Sequence, residues 1–168
     1  MSDIRRQIVS LLPRLRRMAW SIARDASDCD DLLQRTVERA LARADGWQDG
    51  TRLDLWMLRI MKNIWIDEIR ARKRWGRVIE PGLPDEEPGD GGAAAEDLLD
   101  AAELSRLRSL VESLPEEQRL AIKLVLLGGC SYTEAAAILE IPEGTLTSRL
   151  ARGRAALLRH YQSGETRH

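Results

Sequence analysis

Ser131-Tyr-Thr-Glu-Ala-Ala-Ala-Ile-Leu-Glu-Ile-Pro-Glu-Gly-Thr-Leu-Thr-Ser-Arg-Leu-Ala-Arg-Gly-Arg154 reads as a short helix, a tight turn and a second helix. Ser131 and Glu134 have the spacing of a capping box, in which each side chain satisfies a free amide at a helix start. Ile141-Pro142 ends the first helix, because the residue before a proline is pushed out of the helical region. Pro142 then suits the first turn of a new helix, where its missing N–H costs nothing. On that helix Leu146, Leu150, Leu157 and Tyr161 form one stripe, with Ser148, Arg152 and Arg159 opposite, Thr145 beside them and Arg149 on a flank. From Thr145 to Tyr161 there are four arginines and no carboxylate. Leucines inward and arginines outward suit insertion into a DNA major groove. A solvated, arginine-rich helix has the same pattern.

The remainder of the 168 residues is also helical in pattern: Leu, Ala and Ile dominate the apolar residues, Phe is absent, and β-branched runs are lacking. Ile4, Ile8, Leu11, Leu15, Met18 and Ile22 mark a first amphipathic helix, and Pro13 within it predicts a kink or a restart. The polar break Asp25–Asp30 leads to a second helix from about Asp30 to Ala44, with Leu33, Val37, Ala40 and Leu41 as the expected inner face. A glycine-bearing loop, Asp45–Gly50, precedes a long third helix from about Leu53 to Trp75. Residues 76–95, with Pro81, Pro84, Pro88 and an Asp-Gly-Gly run, read as a flexible acidic linker. Beyond it, Leu104, Leu107, Val111 and Leu114 mark a helix, Pro115 starts the next, and Gly128-Gly129 stops it. The expected architecture is all-α, with two small helical domains (1–75 and 96–162) on a tether and a disordered tail, 163–168.

The net charge of −1 conceals a segregation. Residues 1–75 hold 16 Lys/Arg against 11 Asp/Glu, residues 76–103 hold 1 against 9, and residues 104–168 hold 9 against 7. Two basic lobes with an acidic connector favour an anionic partner. The third helix carries Met57, Ile60, Met61, Ile64 and Trp65 on one broad face, while Arg59, Lys62, Asn63, Arg70, Lys73 and Arg74 share an arc opposite. Cations on such an arc attract phosphates, and an asparagine among them can bond a base edge. Trp47, in the preceding loop, is placed to stack on an unpaired base. Trp56 and Trp65 fit a core role better, and Ile66 falls in the middle of the basic arc, suiting either a protein partner or a helix packed on both sides.

Other functions find little support. His160 and His168 are the only histidines, no nucleophile–histidine pair or phosphate loop is present, and Asp30-Asp31 and Asp67-Glu68 diverge around a helix. Cys29 and Cys130 lack metal-ligand spacing and suit a reduced state. No apolar run approaches the ~18 residues of a membrane span, and no signal-peptide core is visible, so a cytoplasmic protein without membrane insertion, cofactor, metal or small-molecule substrate is expected.

These blocks, in this order, resemble an extracytoplasmic-function sigma factor of bacterial RNA polymerase. Asp30-Asp-Leu-Leu-Gln-Arg-Thr-Val-Glu-Arg-Ala-Leu41 resembles the helix that grips the polymerase clamp, and the resemblance implies core-polymerase contacts from Asp30, Asp31, Leu33, Gln34 and Val37. Trp56 to Arg74 is similar to the promoter-melting and minus-ten recognition helix, implying minus-ten DNA contacts from Trp47, Arg59, Lys62, Asn63, Arg70, Lys73 and Arg74. Loop 44–52 would hold a flipped minus-ten base, whose unstacking costs a few kcal/mol. Leu114-Pro-Glu-Glu-Gln-Arg119 and the helix-turn-helix resemble the minus-thirty-five domain, implying DNA contacts from Thr145, Thr147, Ser148, Arg149, Arg152 and Arg154. The acidic linker would thread the polymerase near its RNA exit path. An anti-sigma factor is a further implied partner. Two departures stand out: Thr147 where the family commonly has Lys or Arg, and Gly153 in place of a usual alanine. A sigma-like decoy for an anti-sigma factor, or a helix-turn-helix repressor, are the alternative readings. The repressor reading leaves residues 1–75 without a role.

Overall fold

A computed structural model describes residues 2–23, 25–76 and 95–165. The linker expected at 76–95 and the end of the expected tail, 166–168, fall almost wholly outside these. Seven α-helices account for the described fold: α1 (Ser2–Ile22), α2 (Ala26–Ala42), α3 (Leu53–Arg74), α4 (Ala95–Glu112), α5 (Glu116–Ile122), α6 (Tyr132–Leu139) and α7 (Glu143–Glu165). No strand occurs among the described residues.

Helices α1, α2 and α3 form the first lobe. α1 buries Ile4, Ile8, Leu15, Met18 and Ile22 at helical spacing. It does not restart at Pro13: the helix continues through that residue, which lies on the exposed side. α2 starts earlier than its apolar pattern suggests, because Asp25 accepts the Asp28 N–H at 2.8 Å and caps the first turn. Its buried residues are Cys29, Leu32, Thr36 and Ala40, whereas Leu33 and Val37 are half-buried and Leu41 is exposed. The expected inner face is therefore wrong by about one residue of rotation. Thr36 can occupy the core because its hydroxyl donates to the Leu32 carbonyl at 2.7 Å, leaving no unpaired polar group. α3 follows its pattern closely, burying Met57, Ile60, Met61, Ile64 and Trp65. Its last turn carries Arg72, Lys73 and Arg74, where cations suit the negative end of the helix.

Helices α4 to α7 form the second lobe. α4 enters the core at its C-terminal end, through Val111 and the following Leu114. Leu104 and Leu107, which mark the helix in the sequence, are exposed, and α4 meets α7 through polar groups, with Tyr161 donating to Glu103. α5 continues into a π-helical turn, Lys123–Leu127, closed by Gly128 N–H to the Lys123 carbonyl at 2.8 Å. Gly129 then takes φ +69°, the left-handed conformation that glycine supplies without a Cβ clash. Ser131 and Glu134 form the expected capping box at the start of α6. α7 runs on to Glu165, so residues 163–165 are helical and not part of a tail.

The two lobes pack directly on each other, and their buried residues form one continuous core. Gly128 lies against Met18 of α1: a Cβ there would sit 2.8 Å from the end of the methionine side chain and 2.9 Å from the Leu124 carbonyl oxygen, so a larger residue would force a local shift. Lys123, buried, donates to the carbonyl of Ile22 at the end of α1 at 2.8 Å and pairs with Glu112. The buried cation thus completes the C-terminal turn of α1 from the other lobe.

Candidate nucleic-acid and polymerase surfaces

Three surfaces carry the residues singled out in the sequence. The first is the outer face of α7. Leu146 and Leu150 are fully buried, Leu157 and Tyr161 half-buried, and Thr147, Ser148, Arg152, Arg154 and Arg159 point outward. Thr147 and Ser148 donate to the carbonyls of Glu143 and Gly144 at 2.9 and 3.1 Å, so both hydroxyls are satisfied within the helix. Arg149, half-buried, lies 3.8 Å from Glu117, and Arg154 donates to the Tyr132 hydroxyl at 3.4 Å. Arg152 has no partner among the described residues. Thr145 is half-buried at the start of the face. Gly153 is buried against α5, where a Cβ would come within 2.9 Å of Ile122 Cγ1. Close packing of α7 on α5, and not a softened helix, accounts for that glycine.

The second surface is the basic arc of α3, and the structure divides it. Asn63, Arg70, Lys73 and Arg74 are exposed. Arg59 and Lys62 are not: Arg59 Nε donates to the Ala137 carbonyl of α6 at 2.8 Å, and Lys62, 5% exposed, lies 3.6 Å from the carboxylate of Glu140. Ile66, between the two halves, is half-buried against the core. Trp47 is half-buried, and its indole N–H has no acceptor among the described residues. The loop around it is ordered by a 3-10 turn, Ala44–Gly46, and by the Thr51 hydroxyl donating to Gln48 O at 2.7 Å. Trp56 is half-buried and Trp65 fully buried, with Arg72 stacked 5.7 Å from the Trp65 ring centre. Arg72 also bonds Asp28 and Glu68, both at 2.8 Å, which ties α3 to α2.

The third surface is the outer side of α2. Asp30, Asp31 and Gln34 are exposed, and Leu33 and Val37 form a half-buried apolar strip beside them. The rotation of α2 leaves these two residues at the edge of the core, half-buried and partly facing outward.

Sequence reasoning missed a charge cluster between the lobes. Arg14 of α1 bonds Asp54 at the start of α3 and donates to Glu134 of α6 at 2.7 Å. Arg52 grips Asp54 through two bonds, 2.9 and 2.7 Å, and donates to the same Glu134 oxygen at 2.9 Å. The Arg14 hydrogen bond leads in holding the Glu134 carboxyl down to about 2, and Arg52 leads in lowering Asp54. Single-residue periodicity carries no signal for pairs separated by 120 positions.

Both cysteines are buried and free. Burial leads in pushing the Cys29 thiol up to about 11 and in raising Cys130, so neither is poised as a thiolate nucleophile. Among the described residues there is no metal-binding cluster and no helix long and apolar enough to cross a membrane.

Comparison with known proteins gives a consistent result. The family models "Sigma-70 region 2" and "Sigma-70, region 4" match residues 8–75 and 104–157. A curated relative, the ECF RNA polymerase sigma factor EcfG of Rhodopseudomonas palustris, is 34% identical over 155 residues, covering 92% of this chain and 83% of that protein. The ECF sigma factor SigC of Mycobacterium tuberculosis is 34% identical over 134 residues, 80% of this chain and 70% of its own. Among solved structures, the sigma factor RpoE of Bartonella quintana, in complex with the anti-sigma factor NepR, superposes with a TM-score of 0.75. It is 28% identical, and the match covers 96% of this chain and 98% of that one.

Proposed function

Since this chain belongs to the extracytoplasmic-function sigma factors of the sigma-70 family, we propose that its three surfaces divide the work of transcription initiation. As a sigma factor it joins core RNA polymerase and directs it to promoters. The exposed rim of α2, with Asp30, Asp31, Leu33, Gln34 and Val37, is the part that grips the polymerase. Its mix of carboxylates and an apolar strip has the composition of a protein-binding edge rather than a DNA-binding one.

The outer face of α7 reads the minus-thirty-five duplex. Arg152 and Arg154 reach outward from a helix held firmly by Leu146, Leu150 and the Gly153–Ile122 contact, so the cations are presented on a rigid element. Thr147 replaces a cation usual in the family, which lowers non-specific phosphate attraction and leaves more of the reading to Arg152. The arc of α3, with Arg59, Lys62, Asn63, Arg70, Lys73 and Arg74, meets the minus-ten strand. Trp47 and loop 44–52 receive its unstacked base, on which the half-buried indole ring can stack.

The observation that carries this reading is the pairing of two basic helix faces, on α3 and α7, in one chain that matches both sigma regions. A binding partner of the anti-sigma class, as in the solved Bartonella complex, would regulate it. Its place of work is the cytoplasm, where polymerase and chromosome meet. The test is run-off transcription: the purified chain is added to sigma-free core polymerase on a genomic DNA library. Discrete start sites that depend on the chain support the reading and define both promoter elements. Tight core binding without transcripts contradicts the DNA-reading roles, and absence of both contradicts the whole.

A further inference from the structure

Helix α1 has no part in the three surfaces, yet its outer side carries charge of a single sign. Between Ser2 and Ile22 five arginines stand against one carboxylate, Asp3. Arg14 turns inward to Asp54 and Glu134. Arg5, Arg6, Arg16 and Arg17 are exposed, as are Val9, Ser10 and Pro13 between them. The four arginines share an arc of about a third of the helix surface, opposite the buried Ile4, Ile8, Leu15 and Ile22. Arg16 lies 3.7 Å from Asp30, with both side chains mostly exposed, a contact of little energetic weight. Arg5, Arg6 and Arg17 have no partner among the described residues.

Nothing in the helix itself accounts for this pattern. Arg5 falls in the first turn, where a cation opposes the helix dipole, and the last turn, where a cation would help, has none. A carboxylate three or four residues away would steady an arginine, but Arg5, Arg16 and Arg17 have none at those spacings. Asp3, three residues before Arg6, accepts instead from the Gln7 amide at 3.0 Å.

The composition of the face suits a polyanion. The pairs Arg5-Arg6 and Arg16-Arg17 are eleven residues apart in the chain. That places them ~16 Å apart along the helix axis, a length over which duplex DNA carries about ten negative charges. Val9, Ser10 and Pro13 are short, so a phosphate backbone can come close between the pairs. A protein-binding patch has an apolar centre depleted of charge, whereas the exposed apolar side chains here are Val9 and Pro13 alone. Stacking on a base needs an open ring, and Trp20, the one aromatic residue of α1, is half-buried against the core. We propose that the outer face of α1 is a further DNA-binding surface, which holds the phosphate backbone of duplex DNA without regard to sequence. Because α1 packs on α3, that duplex adjoins the minus-ten segment. This placement rests on the α3 assignment given above; backbone binding by α1 does not.

The test uses the full-length chain with Arg5→Gln, Arg6→Gln and Arg17→Gln together. Glutamine favours a helix nearly as well as arginine, the sites are exposed, and circular dichroism checks the fold. Arg16 is kept, because its neighbour Asp30 belongs to the polymerase edge. Binding to a labelled duplex of scrambled sequence, and to promoter duplex, is followed over a salt series. Loss of three phosphate contacts should weaken binding roughly tenfold at low salt and flatten the plot of log affinity against log salt by up to about 2.7, at ~0.9 per contact. Both duplexes should lose affinity by the same factor, since phosphate contacts carry no sequence information. Lysine at the same three positions should restore affinity and slope together.

Unchanged affinity and slope in the glutamine variant overturn the proposal. Weaker capture of core RNA polymerase with duplex binding intact also overturns it and assigns the face to the polymerase. A loss confined to promoter duplex contradicts the sequence-independent role. Run-off transcription by the unaltered chain reports on the sigma-factor surfaces separately: its failure would leave the salt-dependent duplex binding of α1 standing.

Discussion

The basic faces of α3 and α7 look alike on a helical wheel and differ in the folded chain. On α7 the cations project from a leucine seat, and Arg152 meets no partner among the described residues. On α3 the arc is split, with Arg70, Lys73 and Arg74 exposed while Arg59 and Lys62 are engaged by α6. Periodicity and charge show that a helix has a DNA-compatible face. They do not show whether the face is free, because accessibility is set by whatever element of distant sequence packs on it. In this chain the covering element belongs to the other lobe, so one face is open and the other half-closed in the same molecule.

The largest expected effect is on the seat that makes α7 a rigid reader. Leu150→Ala empties a fully buried site and should cost about 2–5 kcal/mol of stability, read as a lower midpoint in chemical denaturation. Because the buried residues of the two lobes form one core, the loss should appear in a single transition; a separate early transition for the second lobe would show that the lobes fold independently.

Next comes Arg152→Ala, which removes the most freely presented cation of α7. A specific base contact is worth about 1–3 kcal/mol, so binding to minus-thirty-five duplex should fall tenfold or more, and selectivity at one base pair should relax. Unchanged promoter binding would place the reading face elsewhere on the helix. Arg59→Ala should have a smaller net effect on promoter opening. It deletes the proposed minus-ten contact but also loosens the hold on α6, and the two consequences oppose each other. A loss in run-off transcription equal to or greater than that of Arg152→Ala would mean that the covering of α3 has no energetic weight.

Much of this was legible from residue patterns, for identifiable reasons. The α3 stripe, the capping box at Ser131 and Glu134, and the glycine stop after α5 depend on neighbours within one or two turns, which a sequence displays directly. The inner face of α2 was misjudged because Thr36, polar by composition, is neutralised by its own helix, and Cys29 ends the stripe inside what reads as a loop. Leu104 and Leu107 fit an apolar stripe with Val111 and Leu114, yet they are exposed among the described residues. The Arg14, Arg52, Asp54 and Glu134 cluster, and the burial of Lys62, arise only when the lobes meet, and nothing local announces them.

A gentler effect concerns pH. Glu134 faces Arg14 from α1, Arg52 and Asp54 from the start of α3, and Cys130 from the preceding loop. Its carboxyl is held near 2 against an ordinary 4.5, so its contribution to closure is present above about 4.5 and is lost as the pH falls towards 2. Scattering should show the chain loosening across that interval, less steeply in Glu134→Gln. Equal steepness in both would assign the transition to other carboxylates.

The contrast between the two faces can be read from the chain's three lysines, Lys62, Lys73 and Lys123. Lys73 is exposed on the free part of the α3 arc, and Lys62 lies under α6. Brief acetylation of the folded full-length protein, followed by mass spectrometry, should modify Lys73 readily and spare Lys62. Lys62 should become reactive in Arg14→Gln or in high salt, where the charge cluster is weakened. If Lys62 in the wild-type chain were acetylated as fast as Lys73, the basic face of α3 would be open in solution, contradicting the covering of Lys62 by α6.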